Sequence, residues 1–143
     1  RSRVAVRGGR GGRGASTRGQ GVRLEEAVGG AERGAAITGS RAYERFTGSQ
    51  VRMLAETRPE CYNNTERISL VSSFAASLFT GTIVDIDWSD AGGMNLLDIN
   101  TKTWDETLLE AIGPDLSSKL GTPVESNTVV GRVSEYMQER SDK

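Results

Sequence analysis

Apolar side chains recur at helical spacing in the middle of the chain. Ile68, Val71, Phe74, Ala75 and Leu78 fall on one face when the segment is wound as a helix, and the serines between them lie mostly off that face. This pattern is typical of an amphipathic helix that is buried on one side. Thr65 before the segment suits an N-cap, and Gly81 after it suits a C-terminal stop. The sequence therefore predicts a core helix from Thr65 to the residues just before Gly81.

Four shorter segments also have helical character. A helix starting at Leu24 is weakened at Gly29, and a second runs from Ser49 to Arg58, where the following proline disfavours a helical predecessor. Thr103 and Glu106 have the spacing of a capping box, which predicts a helix over residues 104–112. A polar helix is predicted at the C-terminal end of the chain.

Alternating positions predict strands elsewhere. In residues 83–88, Val84, Ile86 and Trp88 point to one side, and the aspartates between them point to the other. Residues 90–93 have the composition of a turn, and residues 94–99 suit a second strand. The pattern predicts a β-hairpin from these segments, and another short strand over residues 129–133.

The chain changes composition near residue 23. Residues 1–23 contain seven arginines, many glycines and no acidic residue, whereas the remainder has 11 basic and 19 acidic residues. Such a segment cannot bury enough apolar surface to offset the entropy of ordering it. We expect a disordered Arg/Gly tail over residues 1–23 and one globular unit over residues 24–143.

Residue types that are rare or missing exclude several classes of site. Cys61 is the single cysteine and the chain has no histidine, which excludes an intramolecular disulfide, a Ser–His–Asp or Cys–His site and the usual zinc ligand sets. No run approaches the roughly 18 to 20 apolar residues that a membrane span needs. We expect a cytoplasmic protein without a membrane partner.

Three longer motifs resemble one family. Residues 40–48 read Ser-Arg-Ala-Tyr-Glu-Arg-Phe-Thr-Gly, residues 69–79 read Ser-Leu-Val-Ser-Ser-Phe-Ala-Ala-Ser-Leu-Phe, and residues 87–99 contain Asp-Trp-Ser-Asp-Ala-Gly-Gly, followed by Trp104-Asp105. These stretches resemble the animal-type xylulose kinases of the FGGY carbohydrate kinase family. The resemblance implies a helix-rich α/β fold, part of the actin-like, ribonuclease H-like N-terminal domain that binds the sugar.

The same resemblance implies an ATP-dependent kinase that converts D-xylulose to D-xylulose 5-phosphate, with ATP and Mg²⁺ bound by the full-length protein. The family's catalytic aspartate lies in a Gly-Asp-Asn motif that would follow Lys143, and its first phosphate-binding loop would precede Arg1. We therefore expect an interior fragment that is inactive alone. The resemblance assigns no catalytic, cofactor-binding or metal-binding residue within the chain.

Arg45 is the one candidate site residue. The resemblance implies that it contacts the sugar, since it is the arginine of the Tyr-Glu-Arg-Phe-Thr-Gly motif. A guanidinium offers several fixed donors to hydroxyl or carbonyl oxygens. Without the resemblance, an ion pair with Glu44 or another acidic residue is the preferred interpretation.

Two further patterns in the chain suggest ligand binding. Asp85, Asp87 and Asp90 suggest the start of a calcium loop, but the glycine and glutamate that such a loop needs are missing, so a solvated strand edge and a turn cap explain them better. The resemblance implies a structural role near the sugar cleft for Asp87 and Asp90. The Arg/Gly tail resembles RNA-binding segments, and it also fits a divergent or misassigned N-terminal exon, which we favour. The alternative function is thus a non-catalytic binding module with an RNA-binding tail.

Overall fold

Helices make up most of the ordered structure. The computed structural model describes residues 17–141. In chain order the helices are α1 (Arg18–Ala27), α2 (Ala31–Thr38), α3 (Thr47–Thr57), α4 (Pro59–Asn63), α5 (Val71–Thr80), α6 (Trp88–Gly93), α7 (Glu106–Ile112), α8 (Leu116–Leu120) and α9 (Glu135–Ser141), and the strands are β1 (Leu97–Asp98) and β2 (Thr103–Trp104).

The core lies between α1, α3 and α7, which pack against one another. Leu24 of α1, Val51 of α3 and Leu108 of α7 are all nearly inaccessible to solvent, as are the apolar residues that follow α6. Tyr62 closes one side of this core, and its hydroxyl donates a 2.9 Å hydrogen bond to the Pro114 carbonyl. Removal of these apolar surfaces from water is the main stabilising contribution.

The predicted β-hairpin is wrong, although the burial pattern behind it is right. Val84 and Ile86 are buried and Ile83 is exposed, as the alternation predicted. However, within the described residues this segment pairs only through a single parallel bridge between Asp87 and Val124, and the residues predicted as a turn belong to α6. The short antiparallel ribbon among the described residues pairs Leu97 of β1 with Trp104 of β2. Residues 94–97 are buried in the core and do not run back along residues 83–88.

Helix α5 begins at Val71, with Leu70 rather than Thr65 at the N-cap position, and it ends at Thr80, directly before Gly81, as predicted. The Thr65 hydroxyl donates back to the Cys61 carbonyl at 2.7 Å and so completes α4 rather than capping a following helix. The Ile68 amide donates to the Lys119 carbonyl at 2.8 Å, which holds residues 65–70 extended. The expectation of a core helix is also wrong, because Ser73 is its one buried residue and Val71 is 86% exposed.

Two other boundaries differ from prediction. The carboxylate of Asp105 accepts a 2.9 Å hydrogen bond from the Leu108 amide, so Asp105 rather than Thr103 caps α7, and Thr103 belongs to β2. The end of α7 at Ile112 is as predicted. Residues 129–133 form no strand, because they cross the end of α5, and the predicted polar helix after them is present as α9.

The predicted tail extends too far along the chain. Residues 1–16 lie outside the described residues, but residues 18–23, expected to be disordered, form the first part of α1. Gly21 lies against Ser49 and Ala42, and Arg23 forms a 2.7 Å ion pair with Glu56 of α3. These contacts outweigh the poor helix propensity of the glycines. None of the described helices is long and apolar enough to cross a membrane.

Candidate functional site

Arg45 lies in a turn between α2 and α3. We call residues 40–46 the Arg45 loop. The side chain of Arg45 is exposed, and it makes no hydrogen bond or ion pair with any residue in the range 17–141. The ion pair with Glu44 that the residues alone favoured is therefore absent from the described structure, and the guanidinium is free to meet a ligand.

The first anchor of the loop is at Ser40. Asn95, which is buried, donates from Nδ2 to the Thr38 hydroxyl at 2.6 Å and to the Ser40 carbonyl at 3.1 Å. Asn95 has φ 62°, a left-handed conformation that asparagine tolerates better than most residues. The side chain thereby ties the start of the loop to the core segment between α6 and β1.

The second anchor is the carboxylate of Glu25 in α1. It accepts hydrogen bonds from the Ala42 amide at 3.0 Å and from Arg41 Nη2 at 3.2 Å. The hydrogen bond from Arg41 lowers the pKa of Glu25, burial opposes this shift, and the Ala42 amide lowers the pKa further. Glu25 is therefore held as the carboxylate that fixes the middle of the loop.

The third anchor acts on the Glu44 carbonyl, directly before Arg45. Gln50 donates to this oxygen from Nε2 at 2.7 Å, and the Thr17 hydroxyl donates to it as well. Gln50 Nε2 also donates to the Thr17 hydroxyl oxygen at 3.1 Å. The three groups connect the residue before α1, the loop and the first turn of α3.

The end of the loop is fixed by close packing of α3. The Gly48 amide donates to the Met94 carbonyl at 3.0 Å, and a Cβ at Gly48 would lie 2.9 Å from Leu96 Cδ2. The rings of Tyr43 and Phe46 meet edge to face, with centroids 6.1 Å apart. The backbone of the loop is thus held along its length, while the Tyr43 and Arg45 side chains point outward.

A polar groove lies beside the loop, between it and α1. Its volume is about 250 Å³, and its walls include Arg18 and Gly21 of α1 and Arg41, Tyr43 and Glu44 of the loop. Arg45 follows directly after this wall but does not line the groove. The groove and the free guanidinium together give this side of the molecule several hydrogen-bonding groups that a small polar ligand could meet.

The aspartates of the third motif, residues 87–99, have structural partners. The Asp87 carboxylate caps α6 by accepting from the Ser89 and Asp90 amides, and it accepts from the Ser126 hydroxyl at 2.8 Å. Burial raises the pKa of Asp87, but the hydrogen bonds from Ser126 and the two amides outweigh burial and lower it overall. Asp90 accepts a hydrogen bond from Ser72. Within residues 17–141 no three acidic or cysteine side chains are grouped to hold a metal ion.

Sequence reasoning missed the residues that hold the loop: Thr17, Glu25, Gln50 and Asn95. Thr17 lies in the segment that composition marked as a tail, and its partner Glu44 is 27 residues away. No periodicity or motif spacing signals such a contact. The weak signal in the chain was Asn95, a polar residue between apolar neighbours that are buried.

Residues 16–141 match the N-terminal domain of the FGGY family of carbohydrate kinases. The chain is also 55% identical to the xylulose kinase of Rattus norvegicus over 125 residues, which cover 87% of this chain and 23% of that protein. The chain therefore belongs to the FGGY family, and it spans less than a quarter of the length of this relative.

Solved structures agree on the fold. The xylulose kinase from Rhodospirillum rubrum superposes with a TM-score of 0.74 at 18% identity, over 89% of this chain and 25% of that one. A gluconate kinase from Lactobacillus acidophilus gives a TM-score of 0.70 at 18% identity, over 83% and 24%. The expected fold, a partial α/β N-terminal domain of a sugar kinase, is confirmed. Because the two kinases are named for different substrates, the fold alone does not select a sugar.

Proposed function

We propose that this chain is part of an ATP-dependent kinase that phosphorylates D-xylulose to D-xylulose 5-phosphate. Membership of the FGGY family supports a carbohydrate kinase that uses ATP. The choice of D-xylulose is supported by the 55% identity to a xylulose kinase over most of the chain. The proposal places the protein in the cytoplasm and assigns the chain to the sugar-binding domain, with α1 inside that domain.

We propose further that Arg45 contacts the sugar. The observation that carries this assignment is an exposed guanidinium without a partner in residues 17–141, on a loop whose backbone is held at three points. A held backbone reduces the conformational entropy that is lost when a ligand binds. The planar guanidinium can donate to two oxygens of a polyhydroxyl ketose at once, which the single ammonium of lysine cannot do with the same geometry.

The proposal assigns nucleotide binding and proton abstraction to parts of the full-length kinase outside residues 17–141. Mg²⁺ belongs to the proposed reaction because it neutralises charge that develops during phosphoryl transfer. Within residues 17–141 no three acidic or cysteine side chains are grouped to hold a metal ion, and the proposal places Mg²⁺ with the nucleotide in the rest of the kinase. The role of this chain is accordingly to bind and orient the sugar.

The test is steady-state kinetics of Arg45→Ala and Arg45→Lys in a full-length kinase that contains this segment. Loss of charge-assisted hydrogen bonds should raise the KM for D-xylulose about 10- to 100-fold for the alanine variant. Lysine should restore part of the loss. The KM for ATP should stay unchanged, because the nucleotide is assigned elsewhere.

The matched control is Arg33→Ala, which removes another exposed arginine, on α2, outside the Arg45 loop. Its KM for D-xylulose should equal that of the unmodified kinase. An unchanged KM in Arg45→Ala would disprove the assignment of Arg45. A kinase that phosphorylates a different ketose more efficiently would disprove the choice of substrate.

The alternative of an RNA-binding module is not favoured. It rests on the Arg/Gly segment, most of which lies outside the described residues. Arg18 and Arg23, the arginines of that segment that are described, belong to α1, where Arg23 pairs with Glu56.

A further inference from the structure

We infer that Thr17 and Gln50 are positioning residues for Arg45 in sugar binding. This inference rests on the proposed contact between Arg45 and the sugar. It assigns a function to two residues that lie outside the Tyr-Glu-Arg-Phe-Thr-Gly motif, one of them 28 positions before Arg45 along the chain.

The geometry concerns one peptide unit. The carbonyl of Glu44 and the amide of Arg45 belong to the same planar group, so hydrogen bonds to that oxygen fix the direction in which the chain enters Arg45. Gln50 and Thr17 both donate to this oxygen. Two donors on one carbonyl use both of its lone pairs and leave the peptide little freedom to rotate.

The two donors are themselves held in place. Thr17 is fully buried, and its hydroxyl oxygen accepts a hydrogen bond from Gln50 Nε2. Gln50 is one turn into α3, and its backbone amide donates to the Phe46 carbonyl at 3.3 Å. The pair therefore joins the start of α1 to the start of α3 directly beneath Arg45.

The side chain of Arg45 has no support of its own within the described residues. Its guanidinium makes no hydrogen bond or ion pair with residues 17–141, so its position depends chiefly on the backbone that carries it. A site is most effective when the groups that touch the ligand are held by a second layer of hydrogen bonds. Thr17 and Gln50 supply this layer on the Arg45 side of the loop.

The experiment compares Thr17→Val and Gln50→Met with the unmodified full-length kinase. Both changes remove hydrogen-bonding groups at similar size. We expect the KM for D-xylulose to rise about three- to tenfold, which corresponds to one neutral hydrogen bond, with kcat and the KM for ATP unchanged. Thr17→Ser keeps the hydroxyl and should retain the original KM, which separates a loss of the hydrogen bond from a general disturbance of the site.

The control is Thr57→Val, which removes a hydroxyl that donates to a carbonyl within α3, away from the loop. Its KM should not change. A melting curve for each variant shows whether it folds, and if Thr17→Val does not fold, Gln50→Met and Thr17→Ser decide the question.

A double variant tells positioning from mere structural support. In the Arg45→Ala background, Thr17→Val should leave the KM for D-xylulose unchanged, because the residue it positions is gone. If the two effects multiply instead, Thr17 acts independently of Arg45 and the inference is overturned. If Arg45→Ala alone has no effect, the proposed sugar contact fails first. If Arg45→Ala raises the KM and neither Thr17→Val nor Gln50→Met does, the positioning role alone fails.

Discussion

Glu25 joins α1 to the Arg45 loop through a single carboxylate. Its pKa is lowered chiefly by the hydrogen bond from Arg41, so the folded chain releases the Glu25 proton more readily than the unfolded chain does. Folding stability from this group is fully present above the ordinary pKa of 4.5 and is lost as the pH falls through the lower folded-state value. Acid should therefore loosen this part of the molecule.

The first prediction is that Glu25→Gln lowers the free energy of unfolding by about 1 kcal/mol at pH 7, because a neutral amide pairs less strongly with Arg41 while still accepting from Ala42. The difference between variant and unmodified chain should shrink as the pH falls below 4.5. Urea unfolding of the 143-residue chain at pH 7 and at pH 3 measures this difference in the free energy of unfolding.

Glu26→Gln is the matched control for this prediction. It removes a neighbouring, exposed carboxylate that makes no side-chain hydrogen bond within the described residues. The control should differ little from the unmodified chain at pH 7. A Glu25→Gln difference that stays constant down to pH 3 would contradict the linkage between Glu25 and acid stability.

Some residues of the candidate site could be predicted from the sequence, and others could not. Arg45 could be proposed because it lies inside a contiguous motif. Thr17 and Gln50, which hold the backbone before Arg45, could not be predicted, because they are 33 residues apart and meet through the packing of α1 on α3. A contact between residues so far apart produces no local sequence pattern. The composition of residues 1–23 even placed Thr17 in the predicted disordered tail.

At the scale of elements, helix starts were harder to predict than helix ends. Thr65 and Thr103 were both expected as N-caps, and neither caps a helix. Several polar residues near each start could accept the free amides, and tertiary contacts select among them. Gly81 did end α5, because its left-handed φ of 75° is a conformation that few other residues adopt without strain.

The cap of α7 gives a prediction at this scale. Asp105→Ala should lower the free energy of unfolding by about 1 kcal/mol, since the Leu108 amide loses its acceptor at the start of a buried helix. Thr103→Ala should change stability by less, because its hydroxyl meets the Thr101 hydroxyl at the surface. Chemical denaturation of both variants measures the difference in stability. A larger loss of stability for Thr103→Ala than for Asp105→Ala would mean that Thr103 caps α7, as the sequence predicted.

At the scale of the whole molecule, an apolar surface remains uncovered. It consists of the outer side of α5 and the segment that crosses its end, joined where the Ser134 amide donates to the Phe79 carbonyl at 2.8 Å. We call it the α5 surface, and its exposed members are Val71, Leu78, Phe79, Ile83, Val129 and Val133. The sequence predicted that this face is buried, but Val71 and Leu78, two of its members, are exposed. A sequence pattern gives the face but not the partner, and within residues 17–141 nothing covers it.

The last prediction concerns this α5 surface in the 143-residue chain. Exposed apolar side chains of this kind promote self-association and the binding of apolar dyes. The double variant Leu78→Ser, Phe79→Ser should bind less of a hydrophobic fluorescent dye and stay monomeric to higher concentration in sedimentation experiments. Val22→Ser, which removes an exposed apolar side chain of α1 outside this surface, should change neither property. Equal dye binding by all three chains would mean that the α5 surface is covered in solution, by a second copy or by residues of the chain outside 17–141. Sedimentation would separate these two cases, since only a second copy raises the mass.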